Sequence, residues 1–367
     1  MEGRFGEIAI ITLDSFKKRA LKVQNYINQR RGTNSNYMID AVGARFANGE
    51  GKVKLKETIK NKDVFIFADI SNYSCEYSLY GKPHNMAPDE HFQDILRTVS
   101  AISGKANRVN IVMPLLYSSR QHRKLSRESL DCALAIRQLE NMNVDNIITI
   151  DAHDPNIQNA IPFGSFDSIF PIYPFMKKFL EIEGNGIKNK DVVVIALDSG
   201  AMERVIKYAS ILGSDIGMFY KRRDYTKLVN GKNPILQHDY VGADVKNKNI
   251  LIVDDMISSG GSVVDICTQI KAKGAKKVSV ITTFAFFTEG LEKFNELYSQ
   301  GLLNKVYATN ASYLSNEIKS APWFVEVDIC DLLALIVDTL NKNESLSPII
   351  SCEPRLQELL KQYNFKN

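Results

Sequence analysis

The chain has 367 residues, more than one hydrophobic core normally supports, so two domains are expected. It is 44% hydrophobic and 24% charged, which excludes disorder, collagen and coiled coil as its dominant state. The 46 Lys and Arg against 42 Asp and Glu leave a net charge of +4, too mild for a dedicated nucleic-acid binder but compatible with local basic clusters that hold a small polyanion.

Strand-length apolar runs and helical patterns alternate along the chain. Residues 7–11, 64–67, 109–112 and 146–150 are predicted strands, and 127–142 is an amphipathic helix. Residues 73–91 carry Tyr, Gly, Pro and His without a period and are expected to form an inserted loop. Pro162, Gly164, Pro171 and Pro174 punctuate the expected domain boundary. A second strand series follows at 191–197, 216–220, 250–253 and 277–282. The predicted helix 262–273 puts Val263, Cys267 and Ile270 on one face. The polar stretch 221–241 is expected to be a long loop that closes over a reaction, with a charged surface turn as the alternative. Leu356, Leu359, Leu360 and Tyr363 are at helical spacing and predict a terminal helix. Buried strands alternating with helices imply α/β domains with parallel sheets and right-handed crossovers. The expected division is 1–170, 171–340 and a helical tail at 341–367.

Five cysteines, Cys75, Cys132, Cys267, Cys330 and Cys352, are scattered and show no C-x-x-C spacing, so reduced thiols of a cytoplasmic protein are expected. The first residues lack the charged-then-apolar pattern of a signal peptide, and no apolar run approaches the roughly 20 residues that span a bilayer. No membrane partner is expected.

The strongest local signal for chemistry is the run from Ile250 to Ser262. A strand leads into Asp254 and Asp255, then Ser258, Ser259, Gly260 and Gly261, then a helix opening at Ser262. Glycines admit close backbone approach, and a helix start offers free N–H groups and a positive dipole end, which together cradle a phosphate. Carboxylates repel phosphate, so the acid pair needs another role, such as accepting from the vicinal hydroxyls of a sugar phosphate. A capped helix start with two solvated acids fits the same residues. Neither a P-loop nor a G-x-G-x-x-G fingerprint is present.

Four further segments follow predicted strands. Arg120, Gln121, His122, Arg123, Lys124 and Arg127 suit a polyphosphate, or form a solvated basic loop. Lys221, Arg222 and Arg223 stand at a strand's carboxyl end, where α/β sheets bind ligands. Asp198 can hold Mg²⁺ or cap the helix near Met202. His153, in Asp151-Ala152-His153-Asp154, can be a ligand or a satisfied core histidine.

In this order the segments resemble the ribose-phosphate pyrophosphokinase family. Asp254-Asp255 with Ser258–Ser262 resembles its ribose-phosphate loop, and Arg45-Phe46-Ala47-Asn48-Gly49-Glu50 resembles its Arg/Lys-Phe-Ser-Asp-Gly-Glu segment. Arg120-Gln121 is similar to the family's ATP-contacting pair, and Asp151-Ala152-His153 with Ile157-Gln158 to its Asp-Leu-His and Ile-Gln. Asp198-Ser199-Gly200 with Arg204 is similar to its Asp-Ala-Gly-Gly and Arg, while Lys221 and Arg223 match its catalytic loop. The resemblance implies two phosphoribosyltransferase-like domains and homo-oligomers built from dimers, commonly hexamers. It implies ATP and ribose 5-phosphate as substrates and 5-phosphoribosyl 1-diphosphate and AMP as products. Phe46, Asn48 and Glu50 would reach ATP from a neighbouring subunit, Arg120, Gln121 and His153 would bind it directly, and His153 and Asp198 would hold Mg²⁺.

The chain departs from the family's pattern at His122, where Asp is usual, and in the sugar loop, which lacks a third acid. Two other functions account for part of the pattern. A non-catalytic regulatory homologue, or a sensor of 5-phosphoribosyl 1-diphosphate, explains the departures but not the retained Lys221 and Arg223. A phosphoribosyltransferase that consumes that product explains only the segment 254–262.

Overall fold

The structure, a computed structural model, describes residues 5–124, 126–184, 191–223 and 235–363, with 221–223 and 235–238 described by backbone alone. The chain divides into two compact units, one from described residues of 1–171, 311–313 and 328–351, the other from those of 172–310, 314–327 and 352–367.

In the first unit β1 (Ile8–Thr12) leads through α1 (Lys17–Arg31) to a hairpin of β2 (Ala41–Arg45) and β3 (Gly51–Leu55). Then come β4 (Asp63–Phe67), a second hairpin of β5 (Glu76–Leu79) and β6 (Lys82–Asn85), and α2 (Pro88–Ile102). The unit continues with β7 (Arg108–Val112), α3 (Asp131–Asn141), β8 (Asn146–Ile150) and β9 (Ser165–Ile169). Five strands form one parallel sheet in the order β1-β4-β7-β8-β9. β1, β4 and β7 are buried along their whole length, as expected of strands covered on both faces.

The predicted loop at 73–91 is instead the β5–β6 hairpin and the start of α2. Tyr80 and Gly81 both have positive φ, at 47° and 76°, which gives the tight two-residue turn that joins twisted strands. Pro88, Asp89 and Glu90 open α2 as helix starts favour, and His91 is buried on it.

The second unit starts with α4 (Ile172–Glu183), β10 (Val192–Ala196), α5 (Met202–Leu212), β11 (Asp215–Arg223) and β12 (Ile235–Gly242). It goes on through β13 (Asn249–Ile257), α6 (Gly261–Ala272), β14 (Lys277–Ala285), α7 (Glu292–Ser299), β15 (Lys305–Thr309), α8 (Asn316–Ser320) and β16 (Phe324–Val327). Its sheet runs β12-β11-β10-β13-β14-β15-β16, parallel except for the antiparallel β11–β12 pair. Both ends of the predicted long loop are therefore strand, with Lys221 paired to His238, and residues 224–234 lie outside the described residues.

Helix α9 (Cys330–Asn341) and the short α10 (Ser347–Ser351) return to the first unit, whereas α11 (Glu353–Gln362) belongs to the second. The sequence places 328–340 with the second domain because its apolar helix carries no address. Polar contacts decide its place. Arg31 donates to Asp338 at 2.6 Å and to the Asn341 side-chain oxygen at 2.8 Å. Asn341 donates in turn to the buried Asp63, which also accepts two bonds from Arg108. No described helix is long and apolar enough to cross a membrane.

Burial resists ionisation of Asp338, but bonds from Lys342 and Arg31 prevail and hold its carboxyl below the ordinary range. A depressed native pKa means stability that is fully present above about pH 4 and fades as the pH falls through the native value. Urea midpoints across the acid range should therefore show Asp338→Asn less stable than the parent at neutral pH, with the two curves converging in acid. Parallel curves would refute that linkage.

Candidate active site

The strand order of the second unit reverses beside β10. The chain steps from β10 outward to β11 and β12, then returns to the other side of β10 with β13. In parallel sheets such a reversal leaves a crevice at the strands' carboxyl ends, because the connecting segments diverge to either side. The segment after β10 carries Asp198, and the end of β13 carries Asp254 and Asp255. The acid pair and the Asp198 turn thus meet at the reversal.

Asp254 and Asp255 are still within β13, which extends four residues past the predicted strand end. They therefore point to opposite faces. Asp255 is buried, with an oxygen 4.0 Å from an Nη of the equally buried Arg204 on α5. Asp254 is partly exposed. Burial, then the charges of Asp255 and Asp198, push its carboxyl well above the ordinary range, against the opposing pull of Arg204. The neighbouring charges of Asp255 and Asp198 disfavour the ionised form of Asp254, which hydrogen-bond donors to its carboxylate would favour. Asp198 accepts a bond from the Gly200 N–H at 2.9 Å and caps a turn of 3₁₀-helix, Ser199–Ala201, that runs straight into α5.

Beyond β13, Ser258 and Ser259 are half-buried and Gly260 begins α6 in the left-handed region at φ 82°, with no side chain capping the helix. A Cβ on Gly260 would lie 2.4 Å from the Phe294 ring. That ring is stacked on Trp323, whose indole N–H donates to Asn295 at 2.8 Å. An aromatic wall thus fixes the loop from behind. At Gly261, by contrast, a Cβ would meet nothing nearer than 4.0 Å, and Ser262 follows half-buried on the first turn of α6. The helix start leaves its first backbone N–H groups without a side-chain cap, the local geometry in which such a turn can receive an anion. Lys221 and Arg223 lie at the carboxyl end of β11, beside β10 in the same sheet.

In the first unit, Arg120 and Gln121 are exposed on the segment after β7, and His153 is half-buried on the segment after β8. The fold brings these two segments together. The His122 ring lies 5.3 Å from that of His153, and its Nε2 is 3.4 Å from an Asp154 oxygen. Phe46, Asn48 and Glu50 form the tip of the β2–β3 hairpin. The Phe46 N–H donates to Glu50 O at 2.8 Å, the Asn48 side chain accepts from the Glu50 N–H, and the Phe46 side chain is 54% exposed. Sequence reasoning missed Asp94, Glu90 and Tyr77, which surround Arg45 at the base of this tip, and Phe294 and Trp323 behind Gly260. The helical spacing of Phe92, Ile95, Leu96 and Val99 was the available signal for the first group.

The family model described as the N-terminal domain of ribose phosphate pyrophosphokinase matches residues 8–142, and the phosphoribosyl transferase domain model matches 175–297. The chain belongs to the ribose-phosphate pyrophosphokinase family. It is 27% identical over 308 residues to the ribose-phosphate pyrophosphokinase of Mycoplasma pneumoniae, covering 83% of this chain and 85% of that one. Identity to the ribose-phosphate pyrophosphokinase of Thermosipho africanus is 28% over 345 residues, covering 93% and 96%. The crystal structure of phosphoribosylpyrophosphate synthetase from Mycobacterium smegmatis has the same fold, with a TM-score of 0.74 at 20% identity over 92% of this chain and 99% of that one. Family membership and the α/β fold with two phosphoribosyltransferase-like domains agree with the resemblance read from the motifs.

Gly260 and Gly261 should respond oppositely to alanine. Gly260→Ala forces a side chain into the Phe294 ring from a left-handed backbone and should cost about 1–3 kcal/mol. Gly261→Ala meets open space and should be neutral or stabilise by up to about 1 kcal/mol. Denaturant unfolding of both variants distinguishes them, and equal losses would contradict the packing described.

Proposed function

We infer that the chain transfers the diphosphate of ATP to the anomeric hydroxyl of ribose 5-phosphate, releasing AMP and 5-phosphoribosyl 1-diphosphate. The observation that carries this reading is that the family match includes both domains. A phosphoribosyltransferase that consumes the product would account for the second alone. Nothing specific favours the regulatory alternative.

Ribose 5-phosphate binds at the reversal in the second unit. Its phosphate sits on Ser258, Ser259, Gly260, Gly261 and Ser262, its hydroxyls donate to Asp254, and Asp255, on the opposite face of β13 beside Arg204, backs the sugar subsite. Hydroxyl donors favour the ionised form of Asp254, so sugar binding offsets the strain of three neighbouring carboxylates. ATP is held by Arg120, Gln121 and His153, and its base by Phe46, Asn48 and Glu50 of a neighbouring subunit in a dimer-based homo-oligomer. The anomeric oxygen attacks the β-phosphorus in line with departing AMP, while Lys221 and Arg223 neutralise charge on the transferring group.

The donors present suit Mg²⁺. Among the described residues no cluster of three or more His, Cys, Asp or Glu is preassembled as a metal site. Mg²⁺ commonly takes one or two protein carboxylates and completes its shell with substrate phosphates and water. Asp198 supplies the oxygen donor and His153 stands beside the triphosphate. When bound, Mg²⁺ would supply positive charge that neutralises the phosphates. A cytoplasmic place agrees with five free cysteines, of which burial raises Cys132 and Cys267 to about 12 and thus keeps them unreactive.

A coupled assay should detect AMP only when ATP, ribose 5-phosphate and Mg²⁺ are all present, and AMP formation independent of the sugar would sink the assignment. Lys221→Ala and Arg223→Ala should each lower kcat by about 10²–10³ while both KM values hold. Near-normal turnover in both removes them from catalysis.

The shared site makes a separate prediction. Chains carrying Phe46→Ala with Glu50→Ala, mixed with Lys221→Ala chains, should regain activity as hybrid oligomers form. No recovery, with mixed assembly confirmed by native mass spectrometry, would show that each chain completes its own site.

A further inference from the structure

The β2–β3 ribbon lies outside the main sheet, and an isolated two-stranded ribbon is marginal in water. Its tip, Phe46 to Glu50, nevertheless has to present three side chains in a fixed arrangement if it holds the base of ATP. The second ribbon, β5–β6, grips that tip at two points. The Tyr80 N–H donates to Ala47 O at 2.8 Å. On the other side, a Cβ on Gly49 would be 3.1 Å from a Leu79 methyl and 3.5 Å from the Tyr77 hydroxyl. Gly49 itself has φ 93°, so the tip can turn and β5 can close against it only because no side chain is there.

The grip is anchored in α2. The Tyr77 hydroxyl donates to Glu90, which also takes the Ala87 N–H at 2.8 Å and lies 3.0 Å from His84 Nε2 on β6. Burial opposes ionisation of Glu90, but these bonds outweigh it and keep the carboxyl below its ordinary range, a charged acceptor that ties β5, β6 and the helix start together. The Arg45 guanidinium lies over the Tyr77 ring, 5.6 Å from its centroid, and makes two bonds to Asp94 at 2.8 and 2.7 Å. Asp94 also accepts from Arg97, and both guanidinium groups occupy the space that a Cβ on Gly51, at the start of β3, would take. The base of the tip is therefore bolted to α2 through Asp94, and its outer edge is braced by β5 through Tyr77.

We propose that the β5–β6 hairpin is a brace that sets the Phe46–Glu50 tip for the base of ATP, with Tyr77 as its principal positioning residue. The proposal rests on the reading of that tip as the base-binding segment. Tyr77 does not touch the nucleotide. It acts through Gly49 and Arg45 on side chains that do.

The test measures kcat, both KM values and the urea midpoint for Tyr77→Ala, Tyr77→Phe, Leu79→Ala and Phe46→Ala in the full-length protein. Misplacing a binding group typically costs between about tenfold and a hundredfold, so Tyr77→Ala and Phe46→Ala should raise KM for ATP by that order. KM for ribose 5-phosphate should stay constant in both, and turnover at saturating ATP should persist in Tyr77→Ala. Tyr77→Phe keeps the ring under Arg45 but loses the hydroxyl's bond to Glu90 and should recover only part of the loss. Leu79→Ala removes the contact to Gly49 without touching Glu90 and should give a smaller rise in the same constant, which preserves the test if Tyr77→Ala does not fold. If Phe46→Ala raises KM for ATP while Tyr77→Ala and Leu79→Ala move only the urea midpoint, the brace is purely structural and the proposal is wrong. If Phe46→Ala itself leaves KM for ATP unchanged, the tip does not hold the base and both readings fall.

Discussion

The parallel pairing of β10 with β13 is the contact on which the candidate site depends. Val192 to Ala196 lie in register with Asn249 to Val253, so the two chains leave the sheet side by side. From that edge one connection goes through Asp198 into α5 and the other through Gly260 into α6. The two helix starts and the carboxylates of Asp198, Asp254 and Asp255 therefore leave strands only about 4.8 Å apart, and one strand inserted between β10 and β13 would double that separation.

Electrostatics and packing make opposite demands at that edge. Packing buries Asp255 and half-buries Asp254 at the end of β13, where a carboxylate is poorly solvated. Arg204 lies beside Asp255 and opposes the rise at Asp254, while Asp255 and Asp198 add to it. Behind it, Phe294 and Trp323 hold Gly260 against the opposite demand for freedom at a left-handed turn. Their rings are fully buried and offset in a stack, so the loop has a rigid floor.

The first unit has no reversal in its strand order, and its polar groups are arranged differently. The side chains that its motifs single out stand on segments leaving β7 and β8 and on a ribbon outside the sheet. Precision there comes from buried acids used as fasteners. Asp63 gathers Arg108, Asn110 and Asn341, and Asp94 gathers Arg45 and Arg97. Each is an ion pair satisfied by several further bonds, the condition under which a buried charge holds a unique geometry rather than costing stability.

What the sequence by itself determined was the local grammar. The all-buried strands at β1, β4, β7 and β10 are legible because a strand covered on both faces must be apolar throughout, and the Gly260–Ser262 helix start because only certain residues tolerate its backbone. The motif order carried the family. Three things could be settled only by tertiary structure. Strand β13 runs on through Asp254 and Asp255 because pairing with β14 continues to Ile257, and cross-strand bonds to a distant segment leave no mark in the sequence of one strand. The segment at 73–91 shows no clear period because its two strands are only four residues long and largely exposed, too short to impose an alternation on the sequence. Helix α9 is apolar enough to pack on either unit, and it joined the first through Arg31, Asp63 and Asn341, residues about 30 to 310 positions apart whose meeting no local spacing encodes.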